Sequence, residues 1–487
     1  MQRFNFSTFF LLLAGIGVFC FGVCTSVDGA DAPFTVKKGL FDQSKQDTDL
    51  GLSSAPGTET ITVFAPSDET DHFSNGVVMI GFKGKLYCQW QSSKEDEDAS
   101  ETRVVYSISP NGKDWSAPKT LAETIEKGYR SSGGWWVNGD TLVAYLNVWP
   151  SSVSPRGGHT EYRTSTDGEN WSAIGKVTMK DGKTLTGIFE QDPHALPDGR
   201  IINAAHFQKG LIINPIYTDD PSGIRGWIKA SFTNLSVSGN LSRGIEPSWF
   251  RRKGGAVVMV FRDQKGTMKR LASVSLDRGE SWSKSVVTDM VDSRSKQCAG
   301  NLPDGTAFQV GNPVNRKLRI PLAISLSKDG HVFDKAFILR KGGDDRQKQR
   351  YKGEHKGEGY SYPKAVVWKE HLYVSYATNK EDAQCSRVPL ASLYLNGGTD
   401  VDVKPRINQE HWRFTITQGR NKMVTLQITG LNSNEGKPVA ISTLNGKVIY
   451  RGMLVDGVLQ FDITNRPAGL YLVTIASVQT KVFAVHN

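Results

Sequence analysis

The sequence predicts an all-β fold, a six-bladed β-propeller followed by a small C-terminal β-sandwich, and three observations carry that prediction. The first is a turn motif recurring at a near-fixed interval: SPNGKDW (Ser109 to Trp115), STDGENW (Ser165 to Trp171), SLDRGESW (Ser275 to Trp282) and SKDGHVF (Ser327 to Phe333). The first serines lie 56, 110 and 52 residues apart, so one copy is degenerate near residue 220, where TDDPSGIRGW (Thr218 to Trp227) fills the gap. A period of about 50 residues, each unit holding several short strands, marks a blade that needs its neighbours to bury its faces. The second is a series of short β-rich runs, among them GVVMIGF, KLYCQW, RVVYSIS, TLVAYLNVW, RIINAAHF, AVVMVFR, RLASVSL and HLYVSYA, with almost no helical periodicity. The third is a change of pattern after about residue 405 to a separate set of shorter strands.

Each part follows in order. The opening MQRF and the apolar run FSTFFLLLAGIGVFCFGV, with small residues at Ala30 and Ala32, read as an export signal over residues 1–32 rather than a membrane span. A lipoprotein reading through Cys20 or Cys24 is the alternative, against which the bulky Phe19 and Val23 argue. Residues 33–58 form a polar lead-in without sustained periodicity, and residues 59–405 supply the propeller, about six blades at the observed period. Residues 406–487 form the β-sandwich, with strands MVTLQIT, PVAIST, KVIYR, LQFDI, GLYLVTIA and KVFAV and turns at LNG (444–446) and RPAG (466–469).

Composition limits the function. The net charge of +10 is compatible with an anionic partner or a solvated basic surface, and no nucleic-acid motif accompanies it. Cys88, Cys298 and Cys385 remain after signal removal, an odd number that implies no disulfide framework, and no metal-ligand spacing appears. Neither a metal nor an organic cofactor is expected.

In the turn motif, Ser and Asp side chains bond nearby backbone, Gly accepts a positive φ, and the closing Trp or Phe lies under the turn. The motif resembles the Asp box of the sialidase superfamily. The resemblance implies that the boxes lie away from the active face, so Asp167, Trp171, Asp277 and Trp282 are expected to be structural. It extends to residues 246–362. EPSWFRRKGGAVVMVFR is similar to the stretch from the family's Glu to its second Arg, which gives Glu246 and Arg262; VGNPVNRKLRIPLAISLSKDG resembles the segment with the third Arg, Arg319; GYSYPKAVVW resembles the nucleophile segment and gives Tyr360. These imply a Tyr nucleophile activated by Glu and a carboxylate clamped by Arg. The types suit the chemistry: a carboxylate on the anomeric carbon repels an anionic nucleophile, so a neutral Tyr hydroxyl serves, and guanidiniums grip the carboxylate in bidentate fashion.

The first half departs from the family pattern. DHFSNGVVMIGF, with His72 and Asn75, stands where the first Arg is expected, and Arg130 in GYRSSGGWW is the candidate substitute. Glu97 or Asp98 in SKEDEDASETR is the candidate acid. His72, His159, His194 and His206 lie in the first three blades, and their convergence would favour a lyase or hydrolase acting on a uronate polymer, with a Tyr or His moving the proton. Trp135, Trp136 and Trp149 are candidates for sugar stacking or for packing between blades. The leading expectation is an exo-acting glycoside hydrolase that removes an acidic sugar such as sialic acid; a non-catalytic glycan-binding propeller is a further alternative.

The C-terminal run from KPVAISTLNG to KVFAV resembles the sorting domain of type IX secretion substrates. It implies a secreted or cell-surface protein exported through the periplasm with that machinery as a partner. A fibronectin-like or carbohydrate-binding module is the alternative.

Overall fold

Six four-stranded antiparallel units surround a central axis in the computed structural model, which describes residues 32–396 apart from Asp192, together with seven strands between 413 and 485. The first blade comprises Phe73–Phe82, Lys85–Ser93, Arg103–Ser109 and Lys119–Ala122; the second Gly128–Asn138, Thr141–Pro150, His159–Ser165 and Gly175–Lys176. The third runs from Gly187–Phe189 through Ile201–Phe207 and Ile212–Thr218 to Ile228–Lys229, with His194–Ala195 also pairing to its second strand. The fourth is Gly244–Arg251, Val257–Asp263, Lys269–Ser275 and Val286–Val291, and the fifth Cys298–Asn301, Ala307–Gly311, Leu322–Ser327 and Lys335–Arg340. The sixth has Tyr360–Trp368, His371–Thr378 and Asp382–Pro389, and its outer strand is Glu59–Phe64 from the start of the propeller. This last pairing closes the ring, so neither end strand is left as an unpaired edge.

Six hydrophobic cores lie between successive blades. The side-chain period of two divides each middle strand between them: Val257, Met259 and Phe261 pack toward the third blade, while Val258 and Val260 pack toward the fifth. Burial on both faces is why AVVMVFR reads as continuously apolar.

The turn motifs join the third strand of a blade to its fourth in the first five blades. Each true box has the same internal bonding, in which a backbone N–H of the glycine donates to the first serine: Gly112 to Ser109 at 2.7 Å, Gly168 to Ser165 at 2.8 Å, Gly279 to Ser275 at 2.8 Å and Gly330 to Ser327 at 2.9 Å. The degenerate copy keeps the logic, with the Ser222 N–H donating to Asp220 at 2.9 Å and Trp227 fully buried. The sixth blade has no such turn because its outer strand comes from the other end of the domain.

The lead-in differs from its expected character. Thr35–Val36 pairs in parallel with Val332–Phe333, and Phe34, Phe41 and Leu50 are buried in the core between the fourth and fifth blades. Three apolar side chains anchor a segment whose polar composition hides them.

The seven C-terminal strands form a three-stranded sheet, in the order Arg413–Gln418, Met423–Thr429, Val458–Asp462, and a four-stranded sheet, Val448–Leu454, Lys437–Thr443, Gly469–Ile475, Gln479–Val485. All six strands expected there are present, and Arg413–Gln418 is an addition. Residues 1–31 of the expected export signal, the LNG turn and residues 466–468 of the RPAG turn lie outside the described residues. No helix among the described residues is long and apolar enough to cross a membrane.

Candidate active site

Antiparallel order fixes which residues can share a face. The start of each innermost strand, the end of each second strand and the loop after it lie at one end of the axis, whereas the box turns lie at the other. A cavity of about 500 Å³ opens at the first end. Glu246 and Tyr362 reach it from innermost strands, Arg262 and His206 from the ends of second strands, and Glu97, Asp98, Arg156, Arg319 and Lys380 from the following loops. Glu190 and Lys296 line it too.

A shared irregularity aims the strand residues. The innermost strands of blades one, two, four and six each carry a register shift near their cavity end. In two of them a glycine takes the left-handed conformation, Gly76 at φ 61° and Gly134 at φ 92°. In the other two the position belongs to Glu246 (φ 51°) and Tyr362 (φ 57°), each followed by a proline that cannot donate to the ladder. A β-bulge re-aims a side chain, and a bulky residue at positive φ costs of order 1–3 kcal/mol, which the surrounding fold offsets at these two positions.

Charges in the cavity are paired almost completely. Asp98 accepts from both terminal nitrogens of Arg156, at 2.6 and 2.8 Å, and from the Tyr129 hydroxyl at 2.5 Å. Glu97 accepts from Lys380 and, at 3.1 Å, from Asn75. Arg262 donates to Glu246 at 3.0 Å. Glu190 lies 2.7 Å from Lys296 Nζ and 3.1 Å from His206 Nδ1. Arg319 is the exception: it donates to the Ser361 hydroxyl at 2.9 Å and packs 5.1 Å from the Tyr362 ring centre, with no carboxylate at ion-pair distance among the described residues.

These surroundings set proton affinities. Burial raises the Tyr362 hydroxyl well above the ordinary phenol value, and Glu246 and Glu97 push it further, against Arg319 and Arg262. Burial also works to raise the Glu246 carboxyl, but Arg262 and Lys296 outweigh it and hold it below the usual range. Glu190 behaves alike: despite complete burial, Lys296 and His206 bring its carboxyl down to about 2. Lys380 is lowered by burial, against the pull of Glu97.

Glu246, Arg262, Arg319, Glu97 and Asp98, all expected from sequence, come together here. Tyr360 does not. It is 1% exposed in the core between the fifth and sixth blades, its hydroxyl donating to the Lys341 carbonyl at 2.8 Å and its ring 4.6 Å from the Arg340 guanidinium. The tyrosine in the cavity is Tyr362, two residues on, where the bulge turns the strand's face.

Four further expectations are corrected. Arg130 is held by Glu161 at 2.9 Å and by the Glu123 carbonyl at 2.7 Å, so it cannot substitute for a missing Arg. His72 stacks on Tyr351 at 3.9 Å, and His159 lies 3.3 Å from Glu161; neither lines the cavity. His194 packs edge-on to Trp249 and lines a separate cavity of about 520 Å³ at the far end of the innermost strands. Only His206 of the four histidines reaches the site. Trp135 is buried between blades, Trp136 lines the far cavity, and Trp149 lines the near one with Arg156 lying 4.3 Å over its ring.

Sequence reading missed Glu190, Lys296, Arg156, Lys380 and the pairing of His206. Among the described residues no cluster of three or more His, Cys, Asp or Glu side chains is placed to hold a metal.

No curated protein matches the chain. Solved structures share its fold at low identity. The Hadza microbial sialidase Hz136 superposes with a TM-score of 0.55 at 12% identity, over 69% of each chain. The NanB sialidase from Streptococcus pneumoniae gives 0.51 at 13% identity, over 68% of this chain and 71% of that one. A protein of unknown function from Dyadobacter fermentans DSM 18053 gives 0.51 at 16% identity, over 68% of this chain and 99% of that one. Residues 84–374, spanning most of the propeller, match the family described as BNR repeat-like domain, and the chain belongs to that family.

Proposed function

We propose that the protein is an exported glycoside hydrolase that removes an acidic sugar, such as sialic acid, from glycans. One observation carries this reading: Glu246, Arg262, Arg319 and Tyr362, drawn from three different blades, line one cavity. Arg319, with no carboxylate partner among the described residues, receives the substrate carboxylate together with Arg262. The Tyr362 hydroxyl attacks the anomeric carbon while Glu246 takes its proton; the bond to the aglycone oxygen breaks, and that oxygen needs a proton. Water then displaces Tyr362 with overall retention. A neutral nucleophile avoids the repulsion an aspartate would meet, and Arg319, Lys296 and Lys380, at 5.1, 5.4 and 5.9 Å from the ring centre, offset the charge that develops on the phenol oxygen.

Of the four histidines whose convergence would favour a uronate lyase, His206 alone lines the cavity, which disfavours that reading. The apolar amino-terminal run and the resemblance of the C-terminal strands to a type IX sorting domain support export to the cell surface or medium.

The experiment is to incubate the protein with sialylated and uronate-containing glycans, following free acidic sugar and ultraviolet absorbance from new double bonds in parallel. The reading expects free sugar alone. Double-bond absorbance would move the protein to the lyases, and silence in both channels with retained binding would leave a glycan-binding propeller.

A further inference from the structure

We propose that His206, oriented by Glu190, is the acid/base residue of this site, in place of the acidic pair Glu97 and Asp98. The proposal rests on the hydrolase reading above and completes it.

The acidic pair is committed elsewhere. Both oxygens of Asp98 accept from Arg156, and one also accepts from Tyr129. The two oxygens of Glu97 accept from Asn75 and Lys380. A general acid must carry a hydrogen on the atom that faces the leaving group, and all four oxygens here receive hydrogens instead.

His206 is differently placed. Glu190, His206 and Lys296 are 3%, 5% and 6% exposed, a buried group of charges at the cavity wall. His206 Nδ1 lies 3.1 Å from Glu190 Oε1, and Lys296 Nζ holds the other oxygen at 2.7 Å while also approaching Gln191 at 3.1 Å. The Nδ1 contact has the length of a hydrogen bond but not its angle; such catalytic contacts often tighten only when substrate binds. With Nδ1 turned to an anionic carboxylate, the proton of the neutral ring sits there and Nε2 is the working nitrogen. Nε2 makes no hydrogen bond among the described residues and belongs to a side chain that lines the cavity. A carboxylate behind an imidazole that faces the reacting centre is the arrangement of a general acid/base. The one other imidazole on the cavity, His355, is exposed at its rim.

Position agrees. His206 stands on the third blade and Tyr362 on the sixth, opposite each other in a ring of six. Nucleophile and proton donor must flank the anomeric carbon from opposite sides. In the first step the Nε2–H of the imidazolium protonates the departing aglycone oxygen as the Tyr362 oxygen bonds to the anomeric carbon and Glu246 takes the phenol proton. In the second, neutral Nε2 takes a proton from water as its oxygen attacks that carbon, and Tyr362 leaves with the proton returned by Glu246.

The test uses His206→Gln and Glu190→Gln in the full chain with four probes: 4-methylumbelliferyl α-sialoside, 3′-sialyllactose, 4-nitrophenyl β-glucuronide and methyl β-glucuronide. An aryl leaving group needs little protonation and an alkyl one much. On whichever sugar the wild type accepts, His206→Gln should lose about 10²- to 10⁴-fold in kcat/KM on the alkyl substrate and under about 10-fold on the aryl one. Azide, a nucleophile that needs no base, should restore aryl turnover, which an unfolded variant cannot show. Glu190→Gln should shift the same way by a smaller factor. Equal losses on both substrates without azide rescue, or the leaving-group pattern appearing in Asp98→Asn or Glu97→Gln instead, would overturn the assignment while leaving the hydrolase reading intact. A wild type inactive on all four probes would overturn that reading, and the role of His206 with it.

Discussion

Glu246 and Tyr362 hold the same place in two different blades: each is the left-handed residue of an innermost-strand bulge, each precedes a proline, and each turns its side chain into one cavity. That equivalence turns two ordinary strand residues into a candidate base and nucleophile, and it distinguishes Tyr362 from its neighbour Tyr360.

Phenylalanine substitutions should separate the two tyrosines. Tyr362→Phe should lose at least about 10³-fold in kcat with an unchanged melting temperature, because only the attacking oxygen is removed. Tyr360→Phe should keep its activity and lose about 1 kcal/mol, the worth of its bond to the Lys341 carbonyl. Parallel kinetics and thermal melts read both.

The two arginines should differ in the opposite sense. Arg262→Met leaves the Glu246 carboxylate buried without its partner and should destabilise the fold by about 3–5 kcal/mol. Arg319→Met breaks no ion pair among the described residues and should cost under about 1 kcal/mol, yet raise KM for carboxylated substrates at least about 10-fold. Arg319→Lys should not restore affinity, since an ammonium lacks the planar fork.

Acid should act through Glu190. Its folded carboxyl lies near 2 against an ordinary value of 4.5, so the stability it contributes is present above pH 4.5 and is lost as pH falls toward 2. Glu190→Gln should therefore be less stable than wild type at pH 7, and the gap between their denaturation midpoints should close across that acid window.

Box residues should matter to the fold alone. Trp282, 7% exposed between the third and fourth blades, should cost about 3–5 kcal/mol when replaced by Ala, with KM unchanged in the folded fraction. Gly168→Ala should also destabilise: its φ is 78°, and a Cβ would meet the Tyr87 hydroxyl at 2.1 Å.

Much of this was legible in the sequence because the repeat is local. Ser165, Asp167 and Gly168 bond within their own turn, so five local turns set the period from which six blades follow. Glu246, Arg262 and Arg319 were legible by resemblance. Tyr360 rests on the resemblance of GYSYPKAVVW alone, although the sequence holds a signal for its neighbour: Tyr362-Pro363 repeats Glu246-Pro247, and proline within a strand is confined to an edge or a bulge. Arg130 and His159 were read as candidates although Glu161 claims both, and no spacing reveals that. The Glu190, His206 and Lys296 group joins the third blade to the connection before the fifth, so only the assembled propeller brings it together.

The central claim is that Tyr362 becomes bonded to the sugar. Its most direct test is a fluorinated acidic glycosyl fluoride, which forms the covalent adduct and hydrolyses it slowly, followed by proteolysis and mass mapping. The account predicts one adduct, on the peptide holding Tyr362, absent from Tyr362→Phe and present in Tyr360→Phe. An adduct on any other residue, or full turnover without one and undiminished activity in Tyr362→Phe, would contradict it.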